Sequence, residues 1–183
     1  IMINSLSTKF LISLSFFLNI TILHSQKSDI WSDDNFTGLE FRSIGPALMS
    51  GRISDIAIHP EDENTWYVTV GSGNVWKTQN SGITWDPIFD DQASYSIGCV
   101  TIDPNNPEVV WIGTGEDQGG RHFGYGDGIY KSLDGGKNWT NMGLKNSERI
   151  SKIVIHPKNS NIVWVAAQGP LWSSGGQRGL YKT

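Results

Sequence analysis

The chain has 183 residues, of which 38% are apolar and 17% charged, with 21 glycines and eight tryptophans. That length suits one globular domain or part of one, and the glycine and tryptophan content suits many short strands and turns. The formal net charge is −4, and the lysines and arginines are scattered rather than striped, which argues against nucleic acid as a partner.

Residues 1–25 read as a secretory signal peptide. Lys9 supplies the positive charge, and the mostly apolar run 10–23 is too short to cross a bilayer. Ser25, before Gln26, is the small residue at which cleavage is expected. The mature part should therefore carry no membrane span and reach the periplasm, the cell surface or the medium. With Cys99 as the one cysteine, no internal disulfide can form despite export, and Cys99 should pack in a strand as a small hydrophobe. Residues 26–40 are polar and acidic, with Asp29, Asp33 and Asp34, and read as a linker or loose lead-in. Asn35 and Asn138 each open an N-x-T triplet; both are read as chance matches.

From residue 41 onward the chain repeats one plan. A strand ends at a proline turn three times, over 53–60, 97–104 and 150–157, with endings I-H-P, I-D-P and I-H-P. A second strand follows, over 66–71, 109–115 and 162–167. A third leads into a polar turn, and a fourth carries a tryptophan outward, over 83–89 and 137–142. These runs of five to eight apolar or alternating residues, bounded by Gly, Pro and Asn, predict strands throughout. No stretch after residue 25 has a helical period. His59 and His156 occupy the same place in two repeats, which predicts a turn role and not a metal pair; no metal or cofactor is implied.

The polar turn has its own chemistry. Thr78-Gln79-Asn80-Ser81-Gly82-Ile83-Thr84-Trp85 and Ser132-Leu133-Asp134-Gly135-Gly136-Lys137-Asn138-Trp139 match position for position, and a third copy opens at Thr183. The Asp or Asn side chain can accept bonds from backbone N–H groups a few residues on. Gly82 and Gly136 supply positive φ. The tryptophan lays an apolar face over the hairpin, and its indole N–H needs an acceptor. A period of roughly 50 residues means a propeller or solenoid.

The S/T-x-D-x-G-x-x-W pattern resembles the Asp-box, or BNR repeat, of sialidases, xyloglucanase-type glycoside hydrolases and the N-terminal propeller of sortilin-like receptors. The resemblance runs from about residue 41 to the C-terminus. It is strongest to the sortilin-like propellers of long exported bacterial proteins, through R-S-I-G-P, then G-R-I-S-D-I-A-I-H-P, then W-K-T and the box. It implies an all-β fold: part of a β-propeller of four-stranded antiparallel blades, with two blades and most of a third in residues 41–183. The remaining blades are then expected from the same longer chain.

In such a blade the loops between second and third strands share a face with the links between blades, and this face is where ligands are expected. The copies differ there. The first loop is minimal, 71–74, whereas the second swells to 116–128 and the third to 168–179. These two hold Glu116, Asp117, Arg121, His122, Tyr125, Asp127, Trp172 and Arg178, a mixture of acidic, basic and aromatic groups suited to a peptide or glycan. Trp172 is the candidate stacking platform, with Arg121, His122 and Arg178 as polar partners. Glycoside hydrolysis needs two facing carboxyl groups. The resemblance to xyloglucanase-type hydrolases places an Asp after the second strand of the first blade, where this chain has Gly71. The expectation is a binding propeller without catalytic residues, the alternative a hydrolase that draws carboxylates from further blades.

Overall fold

β-Branched and aromatic residues recur in short runs along this chain, and each run is bounded by residues that turn the backbone. The computed structural model describes residues 51–117 and 123–183. The expected signal peptide, the linker, residues 41–50 and the site candidates Arg121 and His122 lie outside the described residues.

Eleven strands and no helix make up the described chain. In order they are β1 (Ile53–His59), β2 (Asp62–Val70), β3 (Asn74–Thr78), β4 (Asp86–Pro87), β5 (Ile97–Ile102), β6 (Val110–Thr114), β7 (Ile129–Ser132), β8 (Thr140–Gly143), β9 (Ile150–His156), β10 (Asn159–Ala167) and β11 (Gly179–Lys182). They form two four-stranded sheets, β1-β2-β3-β4 and β5-β6-β7-β8, and one three-stranded sheet, β11-β10-β9. Every pairing is antiparallel between neighbours in sequence. Each sheet is thus one expected blade. Two kinds of boundary differ from expectation. β2 and β10 begin earlier, because the proline turns are tight enough for pairing to start at once. β4 and β8 are shorter, because the polar turns occupy the residues up to Trp85 and Trp139.

The sheets stack face to face, and their burial patterns record the stacking. β6, in the middle sheet, is buried at every position, whereas β9 alternates, as a strand covered on one face must. Tyr67, Val75 and Phe89 of the first sheet meet Ile97, Val100, Val110, Ile112 and Tyr130 of the second. Cys99, Val109, Trp111 and Ile129 meet Ile150, Ile153, Val163 and Val165 of the third. Each such Val or Ile contributes roughly 1.5–3 kcal/mol when fully buried. Cys99 is indeed a buried free thiol, and burial pushes its pKa up to about 12. The inner strands β5 and β9 pass close at Gly98, where a Cβ would fall 2.1 Å from the Ile150 carbonyl oxygen and 2.6 Å from that of Gly115.

Both polar turns have one geometry. Ser132 Oγ accepts from the Asp134 and Gly136 N–H groups, and Asp134 Oδ1 accepts from Lys137 N at 3.0 Å and Asn138 N at 2.9 Å. In the first turn Thr78 Oγ1 accepts from Asn80 and Gly82, and Asn80 Oδ1 accepts from Thr84 N at 2.9 Å. Gly82 and Gly136 have φ of 87° and 93°, open to glycine at no steric cost. The second turn also docks on the first sheet. Gly135 O accepts from Tyr67 Oη at 3.1 Å and from Lys77 Nζ at 2.9 Å, and Trp139 Nε1 donates to Ile88 O at 2.7 Å. Trp85 donates within its own turn, to Gly82 O. At the proline turns, His59 Nδ1 accepts from Glu61 N and His156 Nδ1 from Lys158 N, which gives both imidazoles the turn role their repetition predicts.

Candidate functional site

At the end of the sheets opposite the polar turns, each inner strand is preceded by a residue whose carbonyl closes the second strand. Gly71 N donates to Arg52 O, Gly115 N to Ser96 O and Gln168 N to Arg149 O. Arg52, Ser96 and Arg149 therefore hold one repeat position on the loop face.

Their side chains tie neighbouring blades together. Arg149 is buried; its Nε and Nη2 donate to Gly169 O at 3.0 and 2.8 Å. Its guanidinium also lies 5.5 Å from the ring centre of Phe123. Phe123 belongs to the second blade's long loop and Gly169 to the third's, so one side chain joins the two loops. The Ser96 hydroxyl lies 2.6 Å from Gly71 O and 3.0 Å from Gly124 O, bridging the first blade to the second-blade loop. Arg52 Nε forms an ion pair with Glu116 Oε1; the Arg52 side chain is half exposed and that of Glu116 fully buried. Glu116 Oε2 has no hydrogen-bond partner among the described residues. A Cβ at Gly71 would stand 2.8 Å from Glu116 Oε1 and 2.9 Å from Cδ. The carboxylate of Glu116 thus fills the space beside Gly71.

The other candidates divide into ties and free groups. Asp127 is held within its own sheet: its carboxylate accepts from the Thr114 and Tyr130 hydroxyls, and its N–H donates to Thr114 Oγ1. Partial burial, then that bond to Asp127, raises the Tyr130 pKa. Asp117, next to Glu116, is partly buried. Tyr125 is exposed, and its carbonyl accepts from Ser94 Oγ. Arg178 Nη2 donates to Pro170 O and Ser173 O, folding the third-blade loop on itself. Trp172, on that loop, is exposed. The structure thus brings the roots of the two loops together and leaves Tyr125 and Trp172 open to solvent. It commits Asp127, Glu116 and the Arg178 guanidinium to internal bonds. Sequence reading does not single out Arg52, Ser96 or Arg149. The signal was present in R-I-S at 52–54 and again at 149–151, one repeat position twice.

No protein-family model matches the sequence, and no curated protein matches it. Among solved structures, a GH74 enzyme from Niastella koreensis is similar at 25% identity and a TM-score of 0.52, over 69% of this chain and 19% of that one. An ancestral GH74 enzyme is similar at 19% identity and a TM-score of 0.54, over 72% of this chain and 17% of its own. The GH74 xyloglucanase from Xanthomonas campestris is similar at 17% identity and a TM-score of 0.51, over 69% of this chain and 20% of its own. The chain spans about a fifth of the length of the solved proteins it matches. With the sheet topology, these likenesses establish the fold as β-propeller blades: two of four strands, and three strands of another.

Proposed function

We propose that this chain is part of an exported, sortilin-like Asp-box propeller that binds a peptide or glycan on its loop face and has no catalytic residues of its own. The observation that carries this reading is the shared Arg149, which fastens the Phe123 and Gly169 loops into one surface. Tyr125 and Trp172 are its exposed aromatic groups, and an aromatic face beside fixed polar groups suits a sugar ring or a peptide side chain. The acidic groups Glu116 and Asp127 act as struts in this reading. Trp172→Ala should weaken binding of a peptide or oligosaccharide library ligand by about 1–3 kcal/mol, as for an aromatic anchor, in calorimetry on the exported protein. Unchanged affinity would overturn the assignment of the site.

A second reading, glycoside hydrolysis, has the likeness to GH74 enzymes behind it. In that reading Glu116, set beside Gly71, supplies one carboxyl group, and the second comes from beyond the described residues. Release of reducing ends from xyloglucan, abolished by Glu116→Gln, would favour hydrolysis over binding alone. Absence of release with intact binding would leave the first reading standing.

A further inference from the structure

Tyr95 is an exposed aromatic residue that belongs to neither long loop. It lies in the link between β4 and β5. Its carbonyl accepts from Asn74 N at 2.9 Å, which closes the minimal loop of the first blade. Its two chain neighbours are tied to the second blade's loop instead. The Ser94 hydroxyl lies 3.1 Å from Tyr125 O, and the Ser96 hydroxyl 3.0 Å from Gly124 O. The fit is close: a Cβ at Gly124 would stand 2.4 Å from Ser96 Cβ. Tyr95 and Tyr125 are thus carried on two backbone segments bonded together at the seam of the first and second blades. The two residues are 61% and 63% exposed. A tyrosine on a fixed backbone has only two side-chain torsions to freeze, so it can grip a ligand at low entropic cost.

The other chemistry of the seam is committed. Asn74, Glu116 and Gly126 give their N–H groups to the carbonyls of Tyr95, Gly124 and Glu148. A peptide finds those main-chain groups already used and cannot add to them as a strand. Charges bonded into the seam are used as well. Arg52 and Glu116 pair with each other, and Asp90 accepts from Asn74 Nδ2 at 2.8 Å. Tyr95 and Tyr125 offer aromatic faces with hydroxyl tips, which match a ring that has an apolar C–H face and a hydroxyl edge. We propose that Tyr95 and Tyr125 form one sugar subsite at this seam, and that it takes an uncharged pyranose unit of a glycan chain. The proposal rests on the reading that the loop face binds a peptide or glycan, and narrows it to a neutral glycan. Trp172 is then a further platform for the same chain, on a loop that Asn146 and Gln177 hold by two bonds of 2.9 and 3.2 Å.

The test is calorimetry on the exported protein. Cellohexaose, mannohexaose and xylohexaose are the uncharged probes, hexagalacturonate the acidic one, and hexalysine and hexaglutamate the peptides. At least one uncharged hexasaccharide should bind, and Tyr95→Ala and Tyr125→Ala should each weaken it by about tenfold or more. Tyr95→Phe keeps the ring and should stay close to wild type, whereas Tyr95→Leu should lose as much as Tyr95→Ala. Both positions are exposed, so the melting temperature should hold in every variant and separates lost binding from lost folding. Sugar binding that falls with Trp172→Ala but with neither tyrosine variant would overturn this subsite and leave the reading beneath it standing. Loss at only one tyrosine would overturn the pair. Preference for hexagalacturonate or a peptide would overturn the neutral-sugar assignment. Binding of none of the probes would overturn the reading and the subsite together.

Discussion

Glu116 occupies the place of a side chain at Gly71: a Cβ there would stand 2.8 Å from its Oε1. A carboxylate from one blade has moved into the room that the neighbouring blade leaves empty. Gly71→Asp should therefore crowd two carboxylates into one space and destabilise the protein by about 1–3 kcal/mol, as overpacking does. Adding Glu116→Ala should restore most of the loss. Urea unfolding of the two variants checks this; a neutral Gly71→Asp would refute it.

Arg52→Ala strips the buried Glu116 carboxylate of its ion-pair partner. The cost should be about 1–3 kcal/mol, that of a buried polar group left unsatisfied. In a Glu116→Gln background, the same substitution should cost less than half as much, because no buried charge remains. A double-mutant cycle reads the difference; equal costs would mean that the pair carries no coupling.

The two polar turns should part company in acid. Asp134 has its pKa lowered from 3.8 to about 2, first by the Asn138 side chain, then by the Asn138 N–H, Ser132 and the Lys137 N–H. A depressed carboxylate stabilises the fold fully above its unfolded pKa, and that contribution is lost as pH falls through the folded value. Between pH 4 and about 2 the wild type should therefore lose stability faster than Asp134→Asn. Asn80 makes the equivalent turn without a titrating group. Parallel acid-unfolding curves for the two proteins would contradict the assignment.

Trp139→Phe removes the bond to Ile88 O across the blade boundary and should cost about 1–2 kcal/mol through the acceptor left behind. Trp85→Phe loses only a bond inside its own, more exposed turn and should cost less. Guanidinium unfolding of both variants ranks them, and the reverse order would refute the argument.

Gly98→Ala should be among the worst single substitutions in the chain, because its methyl would meet two backbone carbonyls that no rotamer change can move. At Gly113 the nearest neighbour is the Ile150 side chain, which can shift, so Gly113→Ala should be milder. Soluble yield and melting temperature should rank Gly98→Ala below Gly113→Ala.

The repeat made the fold legible. The paired turns at Thr78 and Ser132 and the three proline turns specify the number of sheets and their strand order. The ends of β4 and β8 were less legible, because Trp85 and Trp139 look like strand residues in a pattern but belong to turns. The loops at 116–128 and 168–179 stood out by length. Length, however, does not tell a strut from a contact. Glu116 and Asp127 read as ligand groups, yet the partner of the first is Arg52, just before β1 of another blade, and those of the second are Thr114 of β6 and Tyr130 of β7. Arg149 is not legible as a tie, because its acceptor, Gly169 O, is a backbone atom that sequence gives no reason to single out. The W-K-T, Y-K-S and Y-K-T triplets carried a further unread signal, a lysine set over an aromatic ring in every blade.

The bonds from the second turn to the first sheet, Trp139 to Ile88 and Gly135 to Tyr67, run backward along the chain. Their consequence is one of timing. A polypeptide leaves the ribosome N-terminus first, at roughly 5–20 residues per second, so the first blade is in the open before Ser132 is made. The later turn then condenses onto strands already made, and it brings Tyr67 and Lys77 the acceptor, Gly135 O, that they lack until then. Assembly acquires a direction from the order of synthesis, and a chain released early would still hold whole blades.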